Sequence, residues 1–198
     1  AAALVMLAHW FPDNPFVDPV CGSGTIPIEA ALYGHNIAPG INRSFISEQW
    51  VNLVPDGLSD EVRDEADSLA NYDIELDIHG YDIDQNMIDI AQENSRAAGL
   101  THDITFKQLA VKDWQTSEVN GVIVANPPYG ERLSDKESVH ELYRQMGELY
   151  RPLTTWSKYI LTADMEFEKY YGAPATKRRK LYNGALRTDL YQYWGKKD

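Results

Sequence analysis

Phe16-Val17-Asp18-Pro19-Val20-Cys21-Gly22-Ser23-Gly24-Thr25 is the stretch around which this chain is organised. A short apolar run ends in an acid, a turn with two glycines follows, and a helical pattern begins directly afterwards. Glycine lets the backbone turn sharply and approach a ligand without a Cβ in the way. The spacing fits neither the dinucleotide-binding fingerprint nor a Walker A loop. The stretch is therefore another kind of ligand loop or a plain glycine turn, with Thr25 capping the next helix and Pro27 in its first turn.

The composition is that of one globular domain. The chain has 198 residues, of which 43% are hydrophobic, enough for a full core. One cysteine excludes an internal disulfide framework and predicts a reducing, cytoplasmic compartment. No cysteine or histidine cluster has zinc spacing, so no metal site is predicted. The net charge of −12 argues against a broad nucleic-acid footprint, so any such contact must be local or supplied by another domain.

The first ten residues are apolar and helical in pattern, but they are too few to span a bilayer. They also lack the basic region of a signal peptide. The chain opens in the middle of this pattern without an initiator methionine. We therefore expect a fragment whose upstream part is absent, and no membrane partner.

Short apolar runs alternate with helical patterns, and a hairpin pattern closes the chain. Strands are predicted at 16–20, 76–81, 104–109, 119–125 and 158–162, helices at 1–10, 25–33, 59–70, 85–98, 138–150 and 165–171, and the hairpin at 179–182 and 186–194. This order predicts one α/β domain over residues 1–198, a doubly wound, mostly parallel sheet with a C-terminal antiparallel hairpin. Ligands of such sheets bind beyond the carboxyl ends of the strands.

The connection from about residue 36 to residue 71 is unusually long for a compact domain. Its second half has an acidic helical pattern. We interpret the segment as an insert that either elaborates the surface or forms a wall of the substrate site.

The second predicted strand is followed by Asp82, Ile83 and Asp84. A carboxylate at a strand end can accept both ribose hydroxyls of a nucleoside, which suits Asp82. Ile83 could cover the face of an adenine. Asp84 is placed to cap the next helix, and a cap is also the alternative role for Asp82.

Asn126, Pro127, Pro128 and Tyr129 follow the fourth predicted strand directly. Proline fixes its own φ and restrains the residue before it, so these residues form a stiff corner. Alone, such a corner would be a plain turn.

In this order, Asp-x-x-x-Gly-x-Gly, the acid after the second strand and Asn-Pro-Pro-Tyr resemble the motifs of the class I S-adenosylmethionine-dependent amino-methyltransferases. The segments Ala38–Phe45 and Lys180–Asp189 make the chain similar to the RlmL/YpsC-type large-subunit rRNA guanine-N2 methyltransferases. The resemblance covers essentially the whole chain. It implies a Rossmann-like fold and S-adenosyl-L-methionine as cofactor.

The resemblance also implies which residues hold the cofactor. The loop would wrap its methionine part, with Asp18 accepting from its ammonium group. Ala110 stands where this family often has an acid that contacts the adenine amino group, so backbone groups of Ala110 and Val111, or the Asp113 side chain, would make that contact. Cys21 is interpreted as a small packing residue rather than a catalytic thiol. The implied cofactor residues are Asp18, Val20, Cys21, Gly22, Ser23, Gly24, Thr25, Asp82, Ile83, Ala110 and Val111.

The implied catalytic residues are Asn126, Pro127, Pro128 and Tyr129. A nucleobase amino group is a poor nucleophile because its lone pair is delocalised into the ring. The Asn126 side-chain oxygen and the Pro127 carbonyl can hold its two N–H bonds and aim the lone pair at the sulfonium methyl, so positioning and electrostatics do most of the catalysis. Tyr129 can stack on an extruded base.

The residues alone indicate only methyl transfer to a planar amino nitrogen. Guanine N2 of 23S rRNA is implied by the resemblance, while adenine N6 of DNA or RNA, glutamine N5 of a protein, and a non-catalytic RNA-binding module stay open. The resemblance further implies an RNA-binding THUMP domain upstream that supplies most of the affinity for protein-free or early-assembly rRNA. Within this chain the basic run Lys177–Lys180 either contacts RNA or is a solvated edge strand.

Overall fold

The structure is a computed structural model that describes residues 1–50, 52–129 and 133–196, the side chains of residues 133–135 excepted. In this part of the chain the strands form one seven-stranded sheet with the order β3-β2-β1-β4-β5-β7-β6. They are β1 (Phe16–Asp18), β2 (Ile78–Asp82), β3 (Thr105–Gln108), β4 (Val122–Ala125), β5 (Ser157–Thr162), β6 (Lys177–Asn183) and β7 (Leu186–Tyr193). Strands β1 to β5 are parallel, whereas β7 is antiparallel to β5 and β6. The predicted doubly wound sheet with a C-terminal hairpin is confirmed.

Helices cover both faces of the sheet. They are α1 (Ala2–Leu7), α2 (Thr25–Gly34), α3 (Leu58–Ser68), α4 (Gln85–Ala97), α5 (Leu133–Tyr150) and α6 (Phe167–Tyr171). On one face, α1 and α2 share a core with Phe16 and Ile78. On the other face, α5 and α6 share a core with Ile123 and Ile160. Each large apolar side chain buried in these cores contributes roughly 1.5–3 kcal/mol to folding.

The strand order reverses between β1 and β4, because the chain builds outward through β2 and β3 on one side and through β5 on the other. At such a point the connections leave toward opposite faces, and a crevice opens at the carboxyl ends of the two strands. Pro19 follows β1 and Asn126 follows β4. The fold therefore sets the glycine loop beside the Asn-Pro-Pro-Tyr corner.

Several predicted boundaries need correction: α1 ends at Leu7 rather than 10, β1 ends at Asp18 rather than 20, and β6 begins at Lys177 rather than 179. The fourth strand was expected at 119–125 but begins at Val122, because Asn120 has a positive φ of 60° and breaks the extended run. Helix α5 begins at Leu133 rather than 138.

The residues of the predicted insert contain a 3₁₀ turn, Ile46–Gln49, and the helix α3, none of whose residues is buried. The acidic helix expected at 59–70 is thus present. The two ends of the insert are held together at its base. There the buried ring of His35 contacts Asn71 O at 2.8 Å and Asp103 Oδ1 at 2.8 Å. This base lies at the amino edge of the sheet, at the end of α2 and before β2 and β3.

Among the described residues, no helix combines the length and the apolar character needed to cross a membrane.

Candidate active site

Two glycines in the loop after β1 have different surroundings. Gly22 has φ +51°, and no heavy atom lies within 4 Å of the position that a Cβ would take. Gly24 has φ +81°, and a Cβ there would lie 2.9 Å from both Ala91 Cβ and Phe106 Cζ. Gly24 therefore permits close packing of the loop on α4 and β3, while Gly22 faces open space that a ligand can enter.

The start of α2 differs from the prediction. Thr25 was expected to cap this helix, but the N-cap residue is Gly24, in the left-handed conformation, and no side chain caps the helix. Thr25 is the exposed first residue, and its Oγ1 lies 3.3 Å from Ser23 Oγ. Pro27 does lie in the first turn. The prediction of a Thr25 cap is wrong because the residue before the helix has a positive φ, which glycine adopts without strain.

Asp82 ties the glycine loop to the end of β2. The Gly22 N–H donates to Asp82 Oδ2 at 3.0 Å, and the Asp84 N–H donates to Asp82 Oδ1 at 2.9 Å. The Cys21 N–H also donates to the Tyr81 carbonyl at 2.7 Å. Of the two acids at the end of β2 and just beyond it, Asp84 caps α4, as expected, and Asp82 does not. Asp82 is partly exposed, so its carboxylate can still receive hydroxyl groups from a ligand.

Asp18 lies beneath the loop and is 1% exposed. Its Oδ1 accepts from the Val20 N–H at 3.1 Å. Burial raises the pKa of Asp18 to about 8, with the Val20 N–H opposing the rise and the negative charge of Asp82 adding to it. Burial also raises the pKa of the Cys21 thiol far above its usual range, which Asp18 and Asp82 reinforce. Cys21 is therefore protonated at neutral pH, which agrees with a packing role.

The loops after β2 and β3 carry an exposed apolar side chain and an exposed acid. Ile83 is 72% exposed although it directly follows a buried strand. Val111 is buried and opens a 3₁₀ turn, Val111–Asp113, in which the Ala110 carbonyl accepts from the Asp113 N–H at 3.0 Å. The carbonyl of Val111 accepts from the Trp114 N–H at 3.2 Å. Both backbone acceptors thus have partners in the turn, while the Asp113 side chain is exposed.

The corner after β4 is closed by its own side chains. The Tyr129 hydroxyl donates to Asn126 Oδ1 at 2.5 Å. Pro127 is buried, whereas Asn126 and Pro128 are exposed. Burial raises the pKa of Tyr129, and its side-chain hydrogen bonds with Asn183 and Asn126 oppose that rise.

A buried pair supports the corner from behind. The hydroxyl of Tyr143 lies 2.9 Å from Thr162 Oγ1 and 3.4 Å from the Pro128 carbonyl. Thr162 Oγ1 also accepts from the Asp164 N–H at 3.0 Å. Because the Pro128 carbonyl can only accept, the Tyr143 proton is directed to it and the Thr162 proton to Tyr143. These hydrogen bonds hold the Pro128 carbonyl of the corner in place.

Sequence reasoning missed these supports. Tyr143 lies on the buried stripe of α5 with Val139, Met146 and Tyr150, a helical spacing that identifies core but not a partner. Asn94 donates to the Ser23 carbonyl at 2.9 Å and so holds the glycine loop from α4. No local signal in the sequence marks this contact.

One group of described residues has the composition of a metal site. His140, Asp164 and Glu166 place a ligand atom each within 4.8 Å of one another. His140 contacts Asp164 at 2.9 Å, and Glu166 pairs with Lys169 at 2.9 Å. Each of the three side chains thus has a hydrogen-bonding partner within the protein.

Residues 1–192 match the family model described as UPF0020, RMKL-like methyltransferase domain. The chain is 56% identical, over 99% of its length, to YpsC of Bacillus subtilis, which is named as a candidate RNA methyltransferase. It is 37% identical, over 98% of its length, to the ribosomal RNA large subunit methyltransferase K/L of Syntrophotalea carbinolica. The chain spans 51% of the first relative and 29% of the second.

Two solved structures have the same fold over the whole domain. The methyltransferase SMU.472, in complex with S-adenosylhomocysteine (SAH), has a TM-score of 0.95 and 53% identity, with 100% of this chain and 52% of that chain covered. A Listeria monocytogenes protein named as an N6-adenine-specific DNA methylase has a TM-score of 0.93 and 58% identity, with 98% and 50% covered.

Proposed function

This chain belongs to the UPF0020 family of RMKL-like methyltransferase domains, and from that premise we propose that it methylates the exocyclic N2 of guanine in large-subunit rRNA. Its cofactor is S-adenosyl-L-methionine, as expected from the sequence. The observation that carries the proposal is the meeting of the open Gly22 and the Asn-Pro-Pro-Tyr corner at the strand-order reversal. The reaction would take place in the cytoplasm.

The loops after β1, β2 and β3 suit the cofactor. The open space at Gly22 receives its methionine part, Asp82 receives the ribose hydroxyls, and the exposed Ile83 covers the adenine. The exposed Asp113 carboxylate takes the adenine amino group, because a charged acceptor binds an N–H more strongly than the carbonyls of Ala110 and Val111. These assignments give the ribose hydroxyls and the adenine amino group acceptors of complementary chemistry.

Asp18 attracts the ammonium group of the cofactor. Since the carboxyl is 1% exposed, the ammonium reaches it only through a shift of the loop or a bridging water molecule. A positive charge above the loop would lower the pKa of Asp18 from about 8, so cofactor binding would release a proton.

When bound, S-adenosylmethionine would supply the methyl group: the nitrogen lone pair would form the new bond to carbon as the carbon–sulfur electrons return to sulfur, and the methylated nitrogen would then lose one proton to water. The corner holds the nitrogen: Asn126 Oδ1 and the Pro127 carbonyl accept its two N–H bonds. In the free protein Asn126 Oδ1 accepts from Tyr129, so the target amine takes the place of that hydroxyl. Tyr143 keeps the corner rigid, and the Tyr129 ring stacks on the base.

The choice of RNA rests on the relatives, and the charge of this chain indicates where the RNA affinity must come from. The relatives carry names of RNA and rRNA methyltransferases, and this chain spans about half of the first. A chain with a net charge of −12 repels phosphate, so we propose that a THUMP domain elsewhere in the whole gene product supplies most of the RNA affinity.

A second candidate is adenine N6 of DNA, favoured by the name of the Listeria monocytogenes protein. The corner chemistry is the same for both bases, because each presents a planar amino group. Glutamine N5 of a protein would also fit the corner.

The test is methyl transfer by the whole gene product from labelled cofactor to protein-free rRNA, duplex DNA and a glutamine-bearing peptide. We expect label in rRNA, recovered as N2-methylguanosine. Label in DNA adenine or in the peptide, with rRNA unmodified, would overturn the substrate and keep the amino-methyltransferase chemistry. Absence of label from all three would overturn the enzyme.

A further inference from the structure

The tip of the C-terminal hairpin projects beyond the carboxyl edge of the parallel strands. Thr162, the last residue of β5, pairs with Asp189 of β7. The hairpin continues past this pair, with Asn183 opposite Leu186 at its end. At about 3.4 Å per residue, the three residues from Thr188 to Leu186 carry the tip about 10 Å past the end of β5. This is the edge at which the loops after β1 and β4 lie.

The tip reaches the Asn-Pro-Pro-Tyr corner through Asn183. Its side chain interacts with the Tyr129 hydroxyl and opposes the rise of that pKa. Tyr129 in turn donates to Asn126 Oδ1. The tip is therefore a wall of the candidate target site.

One face of the tip combines an exposed aromatic ring with two cations. Tyr182 is 63% exposed, and Lys180 Nζ lies 5.1 Å from its ring centroid. Arg187 stands directly opposite Tyr182 in the register, with its side chain 52% exposed and a guanidinium nitrogen 3.6 Å from Asp189 Oδ2. Strand alternation puts all three on one face. Aromatic rings beside cations are what single-stranded nucleic acid binds, by base stacking and phosphate contact.

The rest of the basic run serves other contacts. Arg178 donates to Asp189 Oδ2 at 2.8 Å and lies 4.9 Å from the Tyr191 ring centroid. Lys177 and Arg179 line a cavity at the amino edge, away from the corner. The run is thus divided, and Lys180 is its member nearest the target site.

We propose that the hairpin tip binds the nucleotide next to the target base in single-stranded RNA. Tyr182 stacks on the neighbouring base, while Lys180 and Arg187 contact the flanking phosphates. This inference rests on the proposed function, which it deepens by assigning a subsite beside the target base. It also gives an acidic domain a local surface for RNA.

The experiment measures binding of the whole gene product to a fluorescein-labelled single-stranded RNA about 10 nucleotides long, by anisotropy over a salt series. Tyr182→Ala should weaken binding about fivefold to a hundredfold, through lost stacking, and Tyr182→Phe should bind like the wild type. Lys180→Ala should weaken binding and flatten its salt dependence. Lys177→Ala removes the same charge from the other end of β6 and should change neither.

Wild-type binding by Tyr182→Ala, or equal losses for Lys180→Ala and Lys177→Ala, would overturn the inference. So would tighter binding of the wild type to duplex DNA of the same length. Methyl transfer to rRNA by the same proteins separates the two proposals. If the tip variants bind RNA like the wild type and rRNA is still methylated, the proposed subsite at the tip is wrong and the proposed function stands. If the wild type does not methylate rRNA, the proposed function is wrong.

Discussion

The amino edge of the sheet has a cavity, whereas the carboxyl edge has the residues of the candidate active site. The amino edge has a cavity of about 660 Å³, lined by the end of α1, the starts of β4 and β5, and the open end of the hairpin. The carboxyl edge has the open Gly22, the acids Asp18 and Asp82, and the corner at Asn126. Strand direction, rather than cavity volume, therefore locates the candidate active site.

The physical cause lies in the parallel pairing. A parallel sheet brings the residues after β1, β2 and β4 to one edge and the residues before them to the other. At the amino edge, polar groups pair within the protein: Asp77 with His79 at 2.8 Å, and Lys158 Nζ with the Leu153 carbonyl at 2.6 Å. At the carboxyl edge, Asp82 and Asn126 remain partly or fully exposed although they are hydrogen-bonded, whereas Asp18 is buried.

The largest expected effect sharpens this contrast on a single strand. Asn126→Ala, after the end of β4, should lower the methyl-transfer rate about a hundredfold or more, because it removes an acceptor for the target amine. Asn120→Gly, before the start of β4, should leave the rate within about twofold, since φ of 60° suits glycine. Single-turnover kinetics with saturating cofactor measure both. Equal rates in the two variants would show that the two edges of the sheet do not differ in their importance for methyl transfer.

Strand β2 offers the same comparison for the cofactor. Asp82→Ala removes the ribose acceptor and the anchor of the Gly22 N–H, and should weaken cofactor binding by about 1.5–3 kcal/mol. Asp77→Ala removes one negative charge beside the start of the strand and should leave the affinity unchanged. Titration calorimetry with S-adenosylhomocysteine checks this pair. Matching losses would assign the effect to net charge.

A smaller effect concerns stability at the carboxyl edge. Asp18 has a pKa raised from 3.8 to about 8, so the folded protein binds more protons than the unfolded chain between these values. Its contribution to stability is therefore complete below pH 3.8 and declines as pH rises toward 8. From about pH 6 to pH 8, Asp18→Asn should avoid a decline of about 2 kcal/mol that the wild type shows in the ligand-free state. Urea unfolding at each pH measures it, and parallel profiles would contradict the buried-acid account.

The smallest effect has the opposite sign and belongs to the amino edge. Burial lowers the pKa of Lys158 from 10.5 to about 8, so the unfolded chain binds more protons between these values. Stability should rise by about 1 kcal/mol or more as pH increases through this window, and Lys158→Met should lack the rise. The same unfolding series extended to about pH 10 tests it. A rise that persists in Lys158→Met would assign it to another group.

The sequence predicts the parts of this molecule that depend on local physics. Asp84 caps α4 because a short acid before a helical pattern can accept from the first turn. Gly99 adopts φ +78° just after that helix, as its stop position requires. The doubly wound, mostly parallel sheet follows because alternation of strands and helices leaves few topologies.

The parts that depend on distant partners could not be predicted. Gly24 replaces Thr25 as the cap because packing on Ala91 and Phe106 sets the entry of the loop into α2. The link from Asn183 to Tyr129 joins segments whose proximity arises only when β7 pairs with β5.

The central claim is that the carboxyl edge modifies rRNA, and mass spectrometry of rRNA nucleosides tests it most directly. Cells lacking the gene would be complemented with the wild type, Asn126→Ala or Asn120→Gly, and 23S rRNA would be digested and quantified. We predict that N2-methylguanosine falls in the deletion strain, returns with the wild type and Asn120→Gly, and does not return with Asn126→Ala. An unchanged level in the deletion strain, or full recovery with Asn126→Ala, would contradict the account.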